Sequence, residues 1–142
     1  MTDLRTIVYV SSACHLFTEL QLEALLVEAR ELNFKNGVTG VLLYEGGNFM
    51  QCFEGSPSLV ADTYQRILAS RRHKSVIELL NEPIRERVFP DWQMGFAQPS
   101  KSEMLTLSAA EAWKRLRKNK NGNLQTAPGL SLLQGFWRRS QR

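Results

Sequence analysis

Apolar positions in this chain follow two periods, and the alternation between them marks out the elements. Thr6-Ile7-Val8-Tyr9-Val10-Ser11 is β-branched and alternating, which predicts a first strand over residues 5–11. Thr18 followed by Gln21 makes a capping box ahead of Leu22, Leu25, Leu26, Ala29 and Leu32, whose spacing predicts a helix to about Asn33. Asn33 continues that buried stripe, four residues past Ala29. Asn36-Gly37 is a turn signal. Val38 to Tyr44 is nearly all apolar and reads as a strand buried on both faces. Gly46-Gly47 closes a hairpin into a third strand, Asn48 to Gly55. Ser56 as cap and Pro57 in the first turn start a second helix, with a core stripe of Val60, Thr63, Tyr64, Ile67 and Leu68. It is expected to end near Arg71-Arg72-His73. Ser75 to Asn81 reads as a fourth strand. Arg87 to Gln98 reads as a fifth, irregular at Pro90, with Trp92, Met94 and Phe96 on one face.

The order is βαββαββ. Right-handed strand–helix–strand crossovers are expected to give parallel neighbours and an α+β, ferredoxin-like, five-stranded mixed sheet with both helices on one face. The other face still carries Val8, Val10 and one side of the 38–44 strand. C-terminal helices, or a partner, are expected to cover it. Residues 1–98 would form the main domain and 99–142 a helical extension. In that extension Ser108 with Glu111 is expected to cap a helix reaching about Asn119. Asn119 to Pro128 reads as a loop, and a last short helix would hold Leu130, Leu132, Leu133, Phe136 and Trp137.

One strand carries a residue that a plain core does not need. In Asn48-Phe49-Met50-Gln51-Cys52-Phe53, side chains alternate, so Phe49, Gln51 and Phe53 share a face. A neutral amide between two aromatic rings is unfavourable unless its donors and acceptors find partners. Tyr9 on the first strand is the first candidate. A phenol and an amide form a switchable pair, because the amide can present either oxygen or nitrogen. This points to a ligand site. Cys52 faces the opposite side and reads as small core packing.

Composition narrows the class. The chain has 142 residues, 43% hydrophobic and 23% charged, ordinary for a globular protein of one domain plus appendages. No apolar run approaches the ~20 residues of a membrane span, and the N-terminus lacks a signal-peptide pattern. Cys14 and Cys52 make no disulfide framework, so a cytoplasmic setting with reduced thiols is expected. His15 and His73 lack metal-ligand spacing, and no metal is expected. Residues 1–100 carry 9 Lys/Arg against 12 Asp/Glu, and residues 101–142 carry 9 against 2, so an acidic body (−3) bears a basic tail (+7). No nucleic-acid motif accompanies that charge, which argues against a nucleic-acid partner.

At these residues the chain resembles the BLUF family, the blue-light sensors that use FAD. The matching pieces run in order through Tyr9 with Ser11-Ser12, then Asn33 before Asn36-Gly37-Val38-Thr39-Gly40-Val41-Leu42-Leu43-Tyr44. They continue with Gly47-Asn48-Phe49-Met50-Gln51-Cys52-Phe53-Glu54-Gly55 and Tyr64-Gln65-Arg66-Ile67. Arg72-His73 and Arg87-Val88-Phe89-Pro90-Asp91-Trp92-Gln93-Met94-Gly95-Phe96 complete a match over about residues 4–98. The resemblance implies FAD between the two helices, its ring facing Tyr9 and Gln51. Gln51 would bridge the Tyr9 hydroxyl and the flavin edge, and Asn33 would hold the ring's carbonyl edge. Arg66 would meet the flavin phosphate, with Arg72 and His73 nearby. Trp92 and Met94 would compete for a place beside Gln51. Light-driven transfer from Tyr9, then its reversal, would leave Gln51 rotated or tautomerised, with a small red shift.

The sequence departs from the family at Leu32, where a polar residue or His is common, at Gln93, where Ser is common, and at Ser70, which replaces an acidic residue. The resemblance implies a sensor without catalysis of its own, signalling through the fifth strand and C-terminal helices to a separate partner. Apolar surface on the tail and sheet favours a homo-oligomer. Two other readings remain: a flavin-dependent redox sensor, and a ferredoxin-fold interaction protein without cofactor.

Overall fold

The computed structural model describes residues 3–114 and 128–141. The chain divides into two compact units, Met1–Gln98 and Pro99–Arg142. In the first, strands β1 (Leu4–Ala13), β2 (Thr39–Glu45), β3 (Asn48–Gly55), β4 (His73–Ile84) and β5 (Gly95–Ala97) form one sheet in the order β4-β1-β3-β2-β5. Helix α1 (Glu19–Asn36) follows β1, and α2 (Pro57–Ala69) follows β3. This is the five-stranded mixed α+β sheet that the hydrophobic pattern predicts. The neighbours differ from the expectation. β3 slots between β1 and β2, so β1–β3, β2–β3 and β1–β4 are antiparallel, and β2–β5 is the parallel pair. A two-residue hairpin turn returns β3 at once beside β2, which splits the β1–α1–β2 crossover.

Local chemistry explains the helices. The Thr18 side chain accepts from Gln21 N–H and the Gln21 side chain accepts from Thr18 N–H, a complete capping box. α1 runs past Asn33 to Asn36 and ends where Gly37 turns left-handed at φ 64°. α2 begins with Pro57 but Ser56 makes no side-chain cap bond. It stops at Ala69, short of the Arg-Arg-His run, and His73 opens β4 instead. Leu32 and Leu68, expected in the buried stripes, are exposed. Among the described residues, the apolar core beneath the helices has two centres. Leu22, Leu26, Leu42, Tyr44, Phe49 and Met94 form one, and Ile7, Tyr9, Val38, Phe53 and Val60 form the other.

The fifth strand is much shorter than the pattern suggests. Residues 87–94 are bends and turns, and only Gly95–Ala97 pair with β2. Trp92 and Met94 therefore do not share a strand face with Phe96. This segment is fastened by side chains rather than a ladder. Arg87 donates to Thr39 Oγ1 at 2.8 Å, to the Glu54 carbonyl at 3.2 Å and to the Gly37 carbonyl at 2.8 Å. The buried Glu54 carboxylate accepts from Phe89 N–H at 2.6 Å. Burial raises the Glu54 carboxyl above its ordinary range, against the pull of the Phe89 and Val88 amides and of Arg87.

In the second unit, helices α3 (Lys101–Ser108), α4 (Ala110–Trp113) and α5 (Pro128–Ser140) are present. The operative capping box is Ser100 with Glu103, which opens α3. Ser108 instead donates to the Met104 carbonyl at 2.6 Å, and α4 has no side-chain cap, so the expected Ser108–Glu111 box is not formed. The expected helix end at Asn119 and the loop toward Pro128 lie outside the described residues. Within the unit, Trp113 donates to the Leu107 carbonyl at 2.7 Å, and Gly129 packs against the Trp113 ring. In α5, Leu130, Leu133, Phe136 and Trp137 are buried while Leu132 is exposed. No helix among the described residues is long and apolar enough to cross a membrane.

Two glycines separate backbone freedom from backbone contact. A Cβ at Gly40 would lie 1.9 Å from the Cys52 carbonyl oxygen, whereas one at Gly37 meets nothing within 4 Å. Gly37→Ala is expected to lower stability by about 1 kcal/mol, the left-handed penalty alone. Gly40→Ala is expected to cost more than about 3 kcal/mol, because a strand must shift. Urea unfolding of both variants checks this, and equal losses contradict it. Glu54 supplies a pH test. Its folded carboxyl holds its proton to higher pH than the unfolded one, so its contribution to stability falls as pH rises above the ordinary carboxyl range. Glu54→Gln keeps an acceptor for Phe89 and removes that fall. The variant is expected to gain on the wild type between pH 5 and pH 8 in urea titrations, and a constant difference contradicts it.

Candidate functional site

Gln51 lies where the two core centres meet. On β3 it stands between Phe49 and Phe53, and across the sheet it pairs with Tyr9 on β1 and Leu42 on β2. Its side chain is buried. The Tyr9 hydroxyl donates to Gln51 Oε1 in a short hydrogen bond. That assignment leaves Gln51 Nε2 as donor, and it reaches Met94 Sδ at 3.6 Å. A thioether is a weak acceptor, so one amide N–H is poorly used and the second has capacity to spare. Burial, and then the neighbouring Tyr64, raise the Tyr9 phenol well above its ordinary range. Tyr9 therefore keeps its proton and acts as the donor in this pair. Its ring is packed by Phe53, Tyr64 and His73, with centroids 6.3, 6.2 and 5.9 Å away.

Above Gln51 the two helices leave a cleft. One cavity is lined by Tyr9, Leu25, Ala29, Leu42, Phe49, Gln51, Ile67, Ser70, Arg72, His73 and Met94. Another shares Leu25, Ala29, Gln51, Ile67, Ser70 and Arg72 with it and adds Glu28, Leu32, Asn33, Thr63 and Arg66. Both linings mix apolar side chains with a few polar and charged ones, Arg72 in both and Asn33, Thr63 and Arg66 in the second. Arg72 pairs with Glu28 across the mouth at 2.8 Å, and both side chains are about half exposed. Such a pair holds little energy and opens readily. Arg66 donates to Thr63 Oγ1 at 3.2 Å.

The candidate residues divide into three groups. Tyr9, Gln51 and Met94 form one hydrogen-bonded chain. Asn33 and Arg66 line the second cavity, and Arg72 lines both. His73 lines it too, but both its ring nitrogens are engaged, at 2.7 Å with Ser11 Oγ and 2.7 Å with the Ile67 carbonyl. A carbonyl only accepts, so Nε2 carries a proton, and His73 braces β1 against the end of α2. Trp92 stands apart. It is 39% exposed whereas Met94 is 1% exposed, so Met94 holds the place beside Gln51 in this structure. Leu32 lines the second cavity and puts an apolar side chain there. Cys52 is buried against Thr6 Oγ1 on the other face, and burial pushes its thiol up, out of reach of thiolate chemistry. Arg30 is a residue that sequence reasoning passed over. It lines neither cavity, yet donates to the Met94 carbonyl at 2.9 Å. Nothing in its spacing signals this, since its partner lies 64 residues away.

The cleft fits a flavin on its own chemistry. A planar aromatic ring needs apolar walls and a few directed polar groups at its edge. Gln51 supplies an underused amide donor there, and Arg66 and Arg72 add cationic side chains to the lining.

Comparison with known proteins agrees. The family model described as sensors of blue-light using FAD matches residues 4–95. Photoactivated adenylate cyclase subunit beta from Euglena gracilis is 35% identical over 94 residues, 66% of this chain but only 11% of that protein's length. The dark-state structure of the BLUF protein BlrB superposes with a TM-score of 0.66 at 31% identity, covering 76% of this chain and 80% of that one. The BlsA ground-state structure gives a TM-score of 0.69 at 25% identity, covering 96% of this chain and 87% of that one. Fold, site chemistry and family match converge, and the chain belongs to the BLUF family of flavin-based blue-light sensors.

Proposed function

We propose that FAD is the flavin of this photoreceptor. Its ring end would lie toward Gln51 and Phe49, and its phosphate end toward Arg66 and Arg72. The observation that carries this reading is the chain from the Tyr9 hydroxyl through Gln51 to the Met94 sulfur, with Gln51 lining both cavities. Asn33 would hold a carbonyl of the ring with what its amide has free, and His73 would bound the pocket while bracing it. The bound flavin would supply blue-light absorption and a strongly oxidising excited state.

The protein's own residues then do the switching. Tyr9 gives up an electron and its phenolic proton by way of Gln51 and recovers both, so nothing is oxidised in sum. Gln51 is left turned or tautomerised. In the arrangement seen here an amide N–H faces the Met94 sulfur. A turned amide would set Oε1 against that sulfur, acceptor against acceptor, so Met94 must give way. Met94 stands next to β5, which begins at Gly95, so displacement there is carried into the parallel β2–β5 pair. That is a local hydrogen-bond change biasing a nearby element. Trp92, two residues away, is the proposed candidate to replace Met94.

We also propose that the module does no chemistry of its own and reports to a separate signalling protein in the cytoplasm, with copies of the chain associating. The light-activated cyclase among its relatives supports an effector downstream. Leu105 and Leu132, exposed on the C-terminal unit, support an association surface there.

Absorption spectra before and after blue light test the reading. The wild type is expected to show a small red shift of its flavin bands that reverses fully in the dark. Extraction of the cofactor and mass analysis is expected to yield FAD. Tyr9→Phe and Gln51→Leu are expected to keep the flavin and lose the reversible shift. An intact shift in Tyr9→Phe refutes the donor role, and an intact shift in Gln51→Leu refutes the amide switch. A chain that takes up no flavin returns the protein to the interaction-module reading.

A further inference from the structure

The contact between Gln51 Nε2 and Met94 Sδ is too weak to set the position of Met94 by itself. Something else must place the sulfur. The backbone shows what does. Three successive carbonyls in the segment before β5 are each captured from outside it. Trp92 O accepts from Gly40 N–H at 2.8 Å, Gln93 O from Asn33 Nδ2 at 2.5 Å, and Met94 O from Arg30 Nε at 2.9 Å. Residues 90–94 are turns and bends, so these bonds stand where ladder bonds would otherwise lie. Two of the three donors are side chains of α1, three residues apart on one helix face. Asn33 lines the cleft, whereas Arg30 does not.

We propose that Arg30 is a positioning residue of the light switch, holding the Met94 backbone so that its sulfur stays against the Gln51 amide. The proposal rests on the switching role given above to Gln51. Arg30 acts through the Met94 backbone and is not itself among the residues that line the cleft. A guanidinium Nε–H has a fixed direction, which suits it to holding one carbonyl in place, and a bond from a charged donor is stronger than a neutral one. Asn33, its neighbour on the helix, has one amide hydrogen committed to Gln93 O, so its remaining N–H and its oxygen are what it can offer a ligand. The α1 face thus ties the cleft wall to the segment that carries Met94.

The test is a double-mutant cycle read by dark recovery of the red-shifted state in the flavin-loaded full chain. Arg30→Ala is expected to retain flavin and the red shift. It is expected to change the recovery rate at least about fivefold, equivalent to about 1 kcal/mol, in the direction set by Met94→Ala. In the Met94→Ala background, adding Arg30→Ala is expected to change the rate by less than about twofold. Arg30→Ala recovering within about twofold of the wild type overturns the proposal, as do effects that multiply in the double variant. If Arg30→Ala does not hold flavin, the milder Arg30→Gln is carried through the same cycle with the same two outcomes. A wild type with no reversible shift refutes the switch itself, and is thereby distinguished from a normal wild-type photocycle that Arg30 does not influence.

Discussion

Everything at this site follows from one buried amide. Gln51 sits buried between Phe49 and Phe53 with Tyr9 and Leu42 beside it. A primary amide placed there must satisfy two donors and an acceptor from a short choice of neighbours. Tyr9 takes the oxygen, because burial keeps its phenol protonated and able only to donate strongly. The nitrogen is left with a sulfur and an open cleft. The pair is thus satisfied on one side and poorly satisfied on the other. A ligand edge that accepts a hydrogen bond completes it, and a change in that ligand's demand is felt directly at Met94.

The fold supplies this arrangement by splitting a crossover. Had β1 and β2 become parallel neighbours, Gln51 would have lost Tyr9 as its cross-strand partner. Insertion of β3 between them puts the phenol on one side of the amide and Leu42 on the other. It also leaves α1 and α2 over the same face with a gap between them, bounded by Leu25 and Ala29 on one helix and Ile67 and Arg66 on the other. The segment after β4 closes the arrangement: its own Arg87 reaches out to Thr39, while Glu54, Asn33 and Arg30 reach it from distant parts of the chain.

What the sequence made legible was local. Alternation exposed β1 and β3 and so the shared face of Tyr9 and Gln51, and a capping box announced α1. The resemblance added Asn33, Arg66 and the Trp92–Met94 pair. The errors have physical causes. Residues 87–94 alternate like a strand but are held by side-chain bonds spanning 33 to 64 residues, which no local period encodes. In the tail, two Ser-x-x-acid pairs have identical spacing, and Ser100–Glu103 forms the box because Ser108 spends its hydroxyl on Met104 within α3. Arg30 escaped notice because an arginine on a helix usually faces solvent, and its carbonyl partner is a backbone atom with no signature of its own.

The central claim is that light acts on the Gln51 amide itself. Its most direct test is a light-minus-dark infrared difference spectrum of the flavin-loaded chain, recorded with and without isotope-labelled glutamine and repeated in a Gln51 variant. The account predicts a label-sensitive side-chain band that appears on illumination, decays with dark recovery and is missing from the variant. A reversible red shift accompanied by no label-sensitive glutamine band would contradict it.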